Sequence, residues 1–203
     1  KDPTQLTDIL YGYADSDWGS CRLTHQTVTG AIIMLSGGAI GYKTKFQHAV
    51  ALSSTEGEFV SACEVGKMIL YFRSILDDLH IPQHEATTIF EDNRGALFMA
   101  NTQQPSPRTR HIDIKHFAII DWVEQDLLLF SQIKTSDNCS DGMTKALAKT
   151  LHYSHFDTIM GRRIPNHITS LISQVVPSIS TSSDVSILQA EGVTGICMYP
   201  CLI

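Results

Sequence analysis

The sequence predicts an α/β fold of the mixed (α+β) kind, one β-sheet with helices on its faces. Three observations carry that reading. The first fifty residues hold short runs with the two-residue alternation of strands. At Phe59 the pattern changes to apolar residues three and four apart, and from Thr88 onward short strands and helices take turns.

Residues 10–15 place Tyr11, Tyr13 and Asp15 on one face and Leu10, Gly12 and Ala14 on the other; both faces are largely apolar, as in a central strand. Residues 29–35 and 39–45 flank Ser36, Gly37 and Gly38, a hairpin turn signal. Residues 48–53 are a further apolar run, read as a short fourth strand of an antiparallel meander. Phe59, Ala62, Gly66, Ile69, Phe72, Leu76 and Leu79 then form one stripe of a long helix that ends before Pro82. Residues 88–92 read as a strand and 94–100 as a short helix before a loop containing Pro105 and Pro107. Ile114, Phe117, Ile120, Val123 and Leu127 mark another helix, residues 128–134 a strand, and residues 140–149 a last helix with Asp141 in its first turn.

A chain of 203 residues supports one folded unit with a sizeable core. Residues 164–203 contain no Lys or Arg, only Asp184 and Glu191 as acids, and a Ser/Thr cluster at 178–183. The expected organisation is a domain over 1–163 and a weakly ordered tail over 164–203. The alternative is that Ile168, Leu171, Ile172, Val175 and Val176 form a helix docked on the body.

Composition excludes several function classes. The longest aliphatic run, near Ala31, is far short of the ~20 apolar residues of a membrane span. The N-terminus lacks the apolar core of a secretory signal and suggests a segment of a longer chain. Five cysteines at irregular spacing, with no C-x-x-C pair, argue against a disulfide framework and a zinc site, so an intracellular setting is expected. With 15 Lys and Arg against 21 Asp and Glu, the net charge of -6 repels a polyanion. Binding to nucleic acid would need metal ions, local basic patches or a tethered partner.

Four acids fall at predicted element ends: Asp15, Glu58, Asp92 and Asp141. In an open sheet with parallel neighbours, strand ends and helix starts line one crevice, so these four are candidates to converge there. Converging carboxylates repel unless protonated or neutralised, and magnesium is the natural counter-charge for oxygen donors. Each acid also has a purely structural reading. Thr55 with Glu58, or Ser53 with Glu56, has capping-box spacing. Asp141 suits a helix dipole, and Asp15, Ser16 or Asp17 suits a turn.

Five strings occur in order: Gly12-Tyr-Ala-Asp-Ser-Asp-Trp18, Val50-Ala-Leu-Ser-Ser-Thr-Glu-Gly-Glu-Phe59, Asp92-Asn-Arg-Gly-Ala96, Arg108-Thr-Arg-His-Ile-Asp-Ile-Lys115 and Ser140-Asp-Gly-Met-Thr-Lys-Ala-Leu147. Together they resemble the ribonuclease H region of the polyprotein of copia-type long-terminal-repeat retrotransposons, over residues 9–151. The resemblance implies a ribonuclease H-like fold: a five-stranded mixed sheet, its first three strands an antiparallel meander, with residues 48–53 the end of the third strand or its extension, and its last two parallel to the first. It also implies magnesium-dependent hydrolysis of the RNA strand of an RNA/DNA hybrid, with two magnesium ions, or manganese in their place, held by Asp15, Glu58, Asp92 and Asp141. Asp17 competes with Asp15, and Glu56 with Glu58; Asp15 is preferred because it continues the strand, and Glu58 because it flanks the buried stripe.

Ser54 and Asn93 are candidate donors to 2′-hydroxyls, with a helix cap and a turn residue as their structural readings. Lys43 and Lys45 on one strand face, and Arg108, Arg110 and Lys115 around the proline loop, are candidate phosphate contacts or simply solvated charge. His111 pairs in expectation with Asp113. Cellular enzymes of this fold carry a histidine in the loop before the last acid; residues 135–140 hold none, so slow turnover by the isolated domain is expected. The implied partners are the hybrid and the reverse transcriptase and integrase parts of the same polyprotein, in the cytoplasm within virus-like particles. The competing readings are a decayed or domesticated module that only binds nucleic acid or a polymerase, and another nuclease or integrase of the same fold.

Overall fold

The computed structural model describes residues 8–101 and 113–175. Its centre is β1 (Leu10–Asp17), buried on both faces as far as Ser16. A strand buried on both sides needs neighbours on both edges. β2 (Val28–Leu35) pairs with it antiparallel and β4 (Thr87–Glu91) pairs with it parallel. β3 (Gly38–Phe46) extends the sheet beyond β2, and β5 (Leu128–Gln132) lies parallel beyond β4. The order is β3-β2-β1-β4-β5. The β2–β3 hairpin turns through Ser36 (φ 52°) and Gly37 (φ 84°), the successive left-handed residues that match the twist of paired strands.

Alternation divides the core in two. Leu10, Ala14, Ala31, Ile33 and Ile89 face α1 (Ser54–Asp78), α2 (Arg94–Asn101) and α3 (Asp113–Glu124). Tyr11, Tyr13, Ile32, Met34 and Phe90 face the opposite side, where Cys139, Ile168 and Leu171 cover them. That side carries a 3-10 turn (Thr135–Asp137), α4 (Asp141–Thr144), α5 (Lys149–Ile159) and α6 (Asn166–Val175).

The predicted stripe of α1 is buried at Phe59, Ala62, Gly66, Ile69 and Leu76, whereas Leu79 lies beyond the helix and is exposed. His80 takes a left-handed φ of 62° just after the helix, ending it before Pro82.

Four expectations are corrected. Residues 48–53 form no strand: Gln47 is buried, with Nε2 donating to Thr29 Oγ1 (3.1 Å) and to the Gly57 carbonyl (2.9 Å), and Trp18 Nε1 donates to the Ala51 carbonyl (2.9 Å). Side chains thus hold this loop where a ladder was expected. α3 packs through Ile119, with Trp122 and Val123 partly buried beside it, while Phe117 is exposed. The single helix expected over 140–149 is two helices, because Lys145 is extended (φ -143°, ψ 158°) and α5 starts afresh at Lys149. Finally, of the two readings of the chain after residue 163, the docked helix is the one that forms, so a boundary at 163/164 would cut through packed structure. Ile168 is fully buried in α6, Leu171 nearly so, and His167 Nε2 lies 2.8 Å from the Tyr13 hydroxyl. Residues 176–203, the rest of the expected tail, lie outside the described residues.

Two close approaches depend on glycine. A Cβ on Gly30 of β2 would lie 2.5 Å from Thr144 Cγ2 and 2.9 Å from the Ser140 carbonyl oxygen, and one on Gly57 would lie 3.0 Å from Ser16 Oγ. α4 therefore rests directly on β2, and the first turn of α1 on the end of β1. Gly30→Ala should overpack the α4 contact and lower stability by about 1–3 kcal/mol, whereas Gly38→Ala, whose Cβ meets nothing, should change it by less than about 0.5 kcal/mol; thermal denaturation checks both. Ile168→Ala should cost about 2–5 kcal/mol in the same assay, and a change near zero would show that α6 is no part of the folded body.

Candidate active site

β1 and β4 run parallel, with Tyr13 opposite Phe90, so both strands finish at the same edge of the sheet. Asp15 sits near the end of β1 and Asp92 directly follows β4. Glu58 reaches the same place from the first turns of α1. One carboxylate oxygen from each of Asp15, Glu58 and Asp92 lies within 4.8 Å of the others. Asp15 and Glu58 are buried and Asp92 is partly open to solvent.

The two glutamates at the start of α1 have separate roles. Ser53 is the N-cap, its Oγ accepting from the Glu56 backbone N–H (3.1 Å), and Glu56 Oε2 accepts in return from the Leu52 N–H (2.7 Å). This is capping-box logic. Glu56 is thereby turned back along the chain, and Glu58 points to Asp15. Thr55 with Glu58 is not the box that forms.

Asp141 approaches from the opposite face. Asn138 is fully buried; its Nδ2 donates to the Ala14 carbonyl (2.8 Å), and its Oδ1 accepts from the Ser140 N–H (3.2 Å) and hydroxyl. That fastens the segment before α4 to β1 one residue from Asp15. From the far end of α4, Thr144 Oγ1 donates to Asp15 Oδ2. Lys145 Nζ lies 3.1 Å from Asp141 Oδ1 and 3.7 Å from Asp15 Oδ1.

The electrostatics follow from this crowding. Burial, offset by the Thr144 hydrogen bond and reinforced by nearby Asp141, pushes Asp15 up to about 7. Burial, with Glu91, Asp15 and Asp92 around it, pushes Glu58 up to about 10. Glu91 has no exposed surface and is raised well above the usual carboxylate range by burial, although its Oε1 accepts the backbone N–H groups of Asp92 (3.1 Å) and Asn93 (3.0 Å). Burial works against the charge on Lys145, but Asp15 and Asp141 outweigh it and raise its pKa.

The donors fit a hard divalent cation. Asp15, Glu58 and Asp92 supply only carboxylate oxygens, and Glu58 Oε2 is buried without a hydrogen-bond partner among the described residues. A cation there would both satisfy that oxygen and relieve the repulsion that raises the pKa of Glu58.

The expected substrate contacts are placed unevenly. Ser54 is exposed on the first turn of α1 and is not the cap. Asn93 caps α2, its Oδ1 accepting from Gly95 (2.9 Å) and Ala96 (3.1 Å). Lys43 pairs with Glu64 of α1 at 2.7 Å, an acid that Lys67 also contacts at 2.8 Å; although burial opposes it, these two cations hold Glu64 down at about 2. Lys45 is exposed. Arg108, Arg110 and His111 lie outside the described residues, as does the side chain of Lys115. Sequence reasoning missed Glu91, Asn138, Thr144 and Lys145. The one available signal was the position of Lys145 four residues after Asp141, on the same side of a helical turn.

No protein-family model matches the chain. It is 33% identical over 141 residues to the retrovirus-related Pol polyprotein from transposon TNT 1-94 of Nicotiana tabacum, covering 70% of this chain and 10% of that one. It is 28% identical over 156 residues to the corresponding polyprotein from transposon RE1 of Arabidopsis thaliana, covering 77% of this chain and 11% of that one. The chain thus spans about a tenth of the length of these curated relatives. Among solved structures, LC11-RNase H1, isolated from compost by a metagenomic approach, superposes with a TM-score of 0.52 at 13% identity over 68% of this chain and 93% of its own. The same enzyme in complex with an RNA/DNA hybrid gives a TM-score of 0.50 at 11% identity, over 66% and 92%. The described helices include none long and apolar enough to cross a membrane. A five-stranded mixed sheet of this order, with relatives of this kind, makes the chain a ribonuclease H-fold homologue of part of the copia-type retrotransposon Pol polyproteins.

Proposed function

We propose that this chain is a ribonuclease H: it hydrolyses the RNA strand of an RNA/DNA hybrid with magnesium held by Asp15, Glu58, Asp92 and Asp141. The observation that carries the reading is the meeting of Asp15, Glu58 and Asp92 at the shared end of β1 and β4, from segments far apart in sequence. The fold neighbour that binds a hybrid, LC11-RNase H1, supports the substrate class. Divalent ions bound in such a site supply Lewis-acid activation of water and neutralise charge on a phosphodiester.

The chain's own residues divide the remaining work. Asp15, Glu58 and Asp92 would hold a cation on the α1 side, and Asp141 faces Asp15 from α4. Thr144 fixes the orientation of Asp15 through its hydroxyl. Glu91 ties down the corner that carries Asp92. Exposed Lys45 is better placed for a phosphate than Lys43, which Glu64 already engages. Ser54 and the amide group of Asn93 are the proposed contacts to 2′-hydroxyls, with Arg108 and Arg110 as further phosphate contacts. With a net charge of -6, the chain alone would bind a hybrid weakly. A polyprotein context, with reverse transcriptase and integrase alongside and a virus-like particle around them, would raise the effective concentration without new contacts.

Purified chain with magnesium should cut the RNA of a labelled hybrid, and Asp92→Asn should lower kcat by roughly 10²-fold or more while hybrid binding survives. Binding without cleavage at saturating protein would favour a decayed or domesticated binding module. Cleavage unaffected by Asp92→Asn would overturn the site.

A second expectation concerns stability. Folded Asp15 near 7 and Glu58 near 10 lie above the unfolded carboxylate values of about 4, so the folded chain binds more protons than the unfolded one above that pH. The stability contributed by these protonated groups is present below about pH 4 and is lost as pH rises towards 7 for Asp15 and 10 for Glu58. In a chelator, the thermal midpoint should therefore fall between about pH 5 and about pH 8, less steeply in Glu58→Gln. Magnesium should raise the midpoint more at the upper pH than at the lower. Equal slopes for wild type and Glu58→Gln would contradict this account.

A further inference from the structure

The acidic corner is asymmetric in its positive charge. Glu58 Oε2 on the α1 side and Asp141 Oδ1 on the α4 side are both buried without a hydrogen-bond partner among the described residues, and the difference between them is an ammonium. On the α4 side, one ammonium stands against two carboxylates, with Lys145 Nζ 3.1 Å from Asp141 Oδ1 and 3.7 Å from Asp15 Oδ1. The side chains of both acids are 3% exposed and that of Lys145 is 37% exposed. The cation therefore reaches from solvent into a buried acidic gap.

Its approach is set by the backbone. Lys145 is the residue that stops α4, extended at φ -143° and ψ 158°, with its N–H donating to the Asp141 carbonyl. From there its side chain reaches Asp141, four residues back, and across to Asp15.

We propose that Lys145 is the resident counter-charge of the Asp15–Asp141 half of the site. The folded chain then takes one divalent cation at Asp15, Glu58 and Asp92 and admits a second between Asp15 and Asp141 only when Lys145 swings out. The proposal rests on one part of the ribonuclease H reading, the assignment of these acids to cations. An ion pair open to water on one side is weak enough to exchange. A flexible lysine stem can leave for solvent where a buried, packed group cannot. Lys145 thereby acts as a positioning residue: it keeps Asp15 and Asp141 together before metal arrives and sets the concentration at which the second ion enters.

Titration of the purified 203-residue chain with manganese, followed by the electron paramagnetic resonance of the free ion, tests this without any reaction being run. Wild type should bind one ion and then a second that is about tenfold weaker or more; Lys145→Met and Lys145→Gln should tighten the second ion by about tenfold while leaving the first in place. Lys145→Arg, which keeps the charge, should retain the wild-type pattern. Circular dichroism of each variant establishes that it is folded, and two neutral replacements guard against misfolding of one. Superimposable isotherms for wild type and both neutral variants would overturn the proposal, as would two equally tight ions in wild type. Hybrid cleavage is read separately. A chain with Lys145-dependent manganese binding that cuts no hybrid loses the ribonuclease H reading and keeps this one, whereas a hybrid-cutting chain whose isotherm ignores Lys145 loses this one alone. Absence of manganese binding in every variant overturns this proposal, and the ribonuclease H reading then stands or falls on hybrid cleavage.

Discussion

Like charge gathered where water is scarce is the constraint on which the rest of this structure depends. Asp15, Glu58, Glu91 and Asp141 are all buried at one edge of the sheet, with Asp92 beside them. Burial and mutual repulsion both disfavour the ionised forms, so the arrangement costs stability unless something offsets it. The compensation differs from acid to acid. Glu91 takes two backbone N–H groups on Oε1, Asp15 takes the Thr144 hydroxyl, and Asp15 and Asp141 share Lys145, while one oxygen each of Glu58, Glu91 and Asp141 stays buried with no hydrogen-bond partner among the described residues. Lys145 thus supplies positive charge on the α4 side, and a hard cation would supply it beside Glu58.

Bringing the acids together requires backbones to touch. Gly57 lets α1 begin against the end of β1, and Gly30 lets α4 lie on β2 directly opposite Asp15 in the strand register. The N-cap at Ser53 sets where α1 starts and so which glutamate turns inward. Behind the site, Asn138 joins the segment before α4 to the Ala14 carbonyl, and α6 closes the same face over Tyr13 and Phe90. The second face of the sheet is therefore part of the machinery that holds Asp141 in place, which a boundary drawn at residue 163 would have divided.

Much of the fold was legible because its signals are local. The alternation in β1, the Ser36-Gly37 turn and the apolar stripe of α1 each lie within a few residues of one another, and each element formed within a few residues of its expected bounds. Failures came where a side chain overruled a local pattern. Residues 48–53 look like a strand, yet Gln47 and Trp18 hold them as a loop, and residues 140–149 look like one helix, yet the backbone is extended at Lys145, whose side chain meets two acids. Lys43 looks available to a phosphate in the sequence, but Glu64, 21 residues away, engages it. The candidate acids were visible as residues at element ends; the choice between Glu56 and Glu58 was not, since both have capping-box spacing and only the register of the cap separates them.

By itself, then, the sequence determined the five strands and the long helix to within a few residues, which candidate acids lie near strand ends and helix starts, and which family the five ordered strings resemble. Those properties depend on periodicity and on residue identity at short spacing. Only the tertiary structure decided that Lys145 and Thr144 meet Asp15, that Asn138 grips β1, and that α6 belongs to the body. Thr144 and Asp15 are 129 residues apart and Tyr13 and His167 are 154 apart, so nothing in their local surroundings encodes the contact. It exists because parallel β1 and β4 end at the same edge and because the two faces of the sheet must both be covered, and these are properties of the whole packed chain.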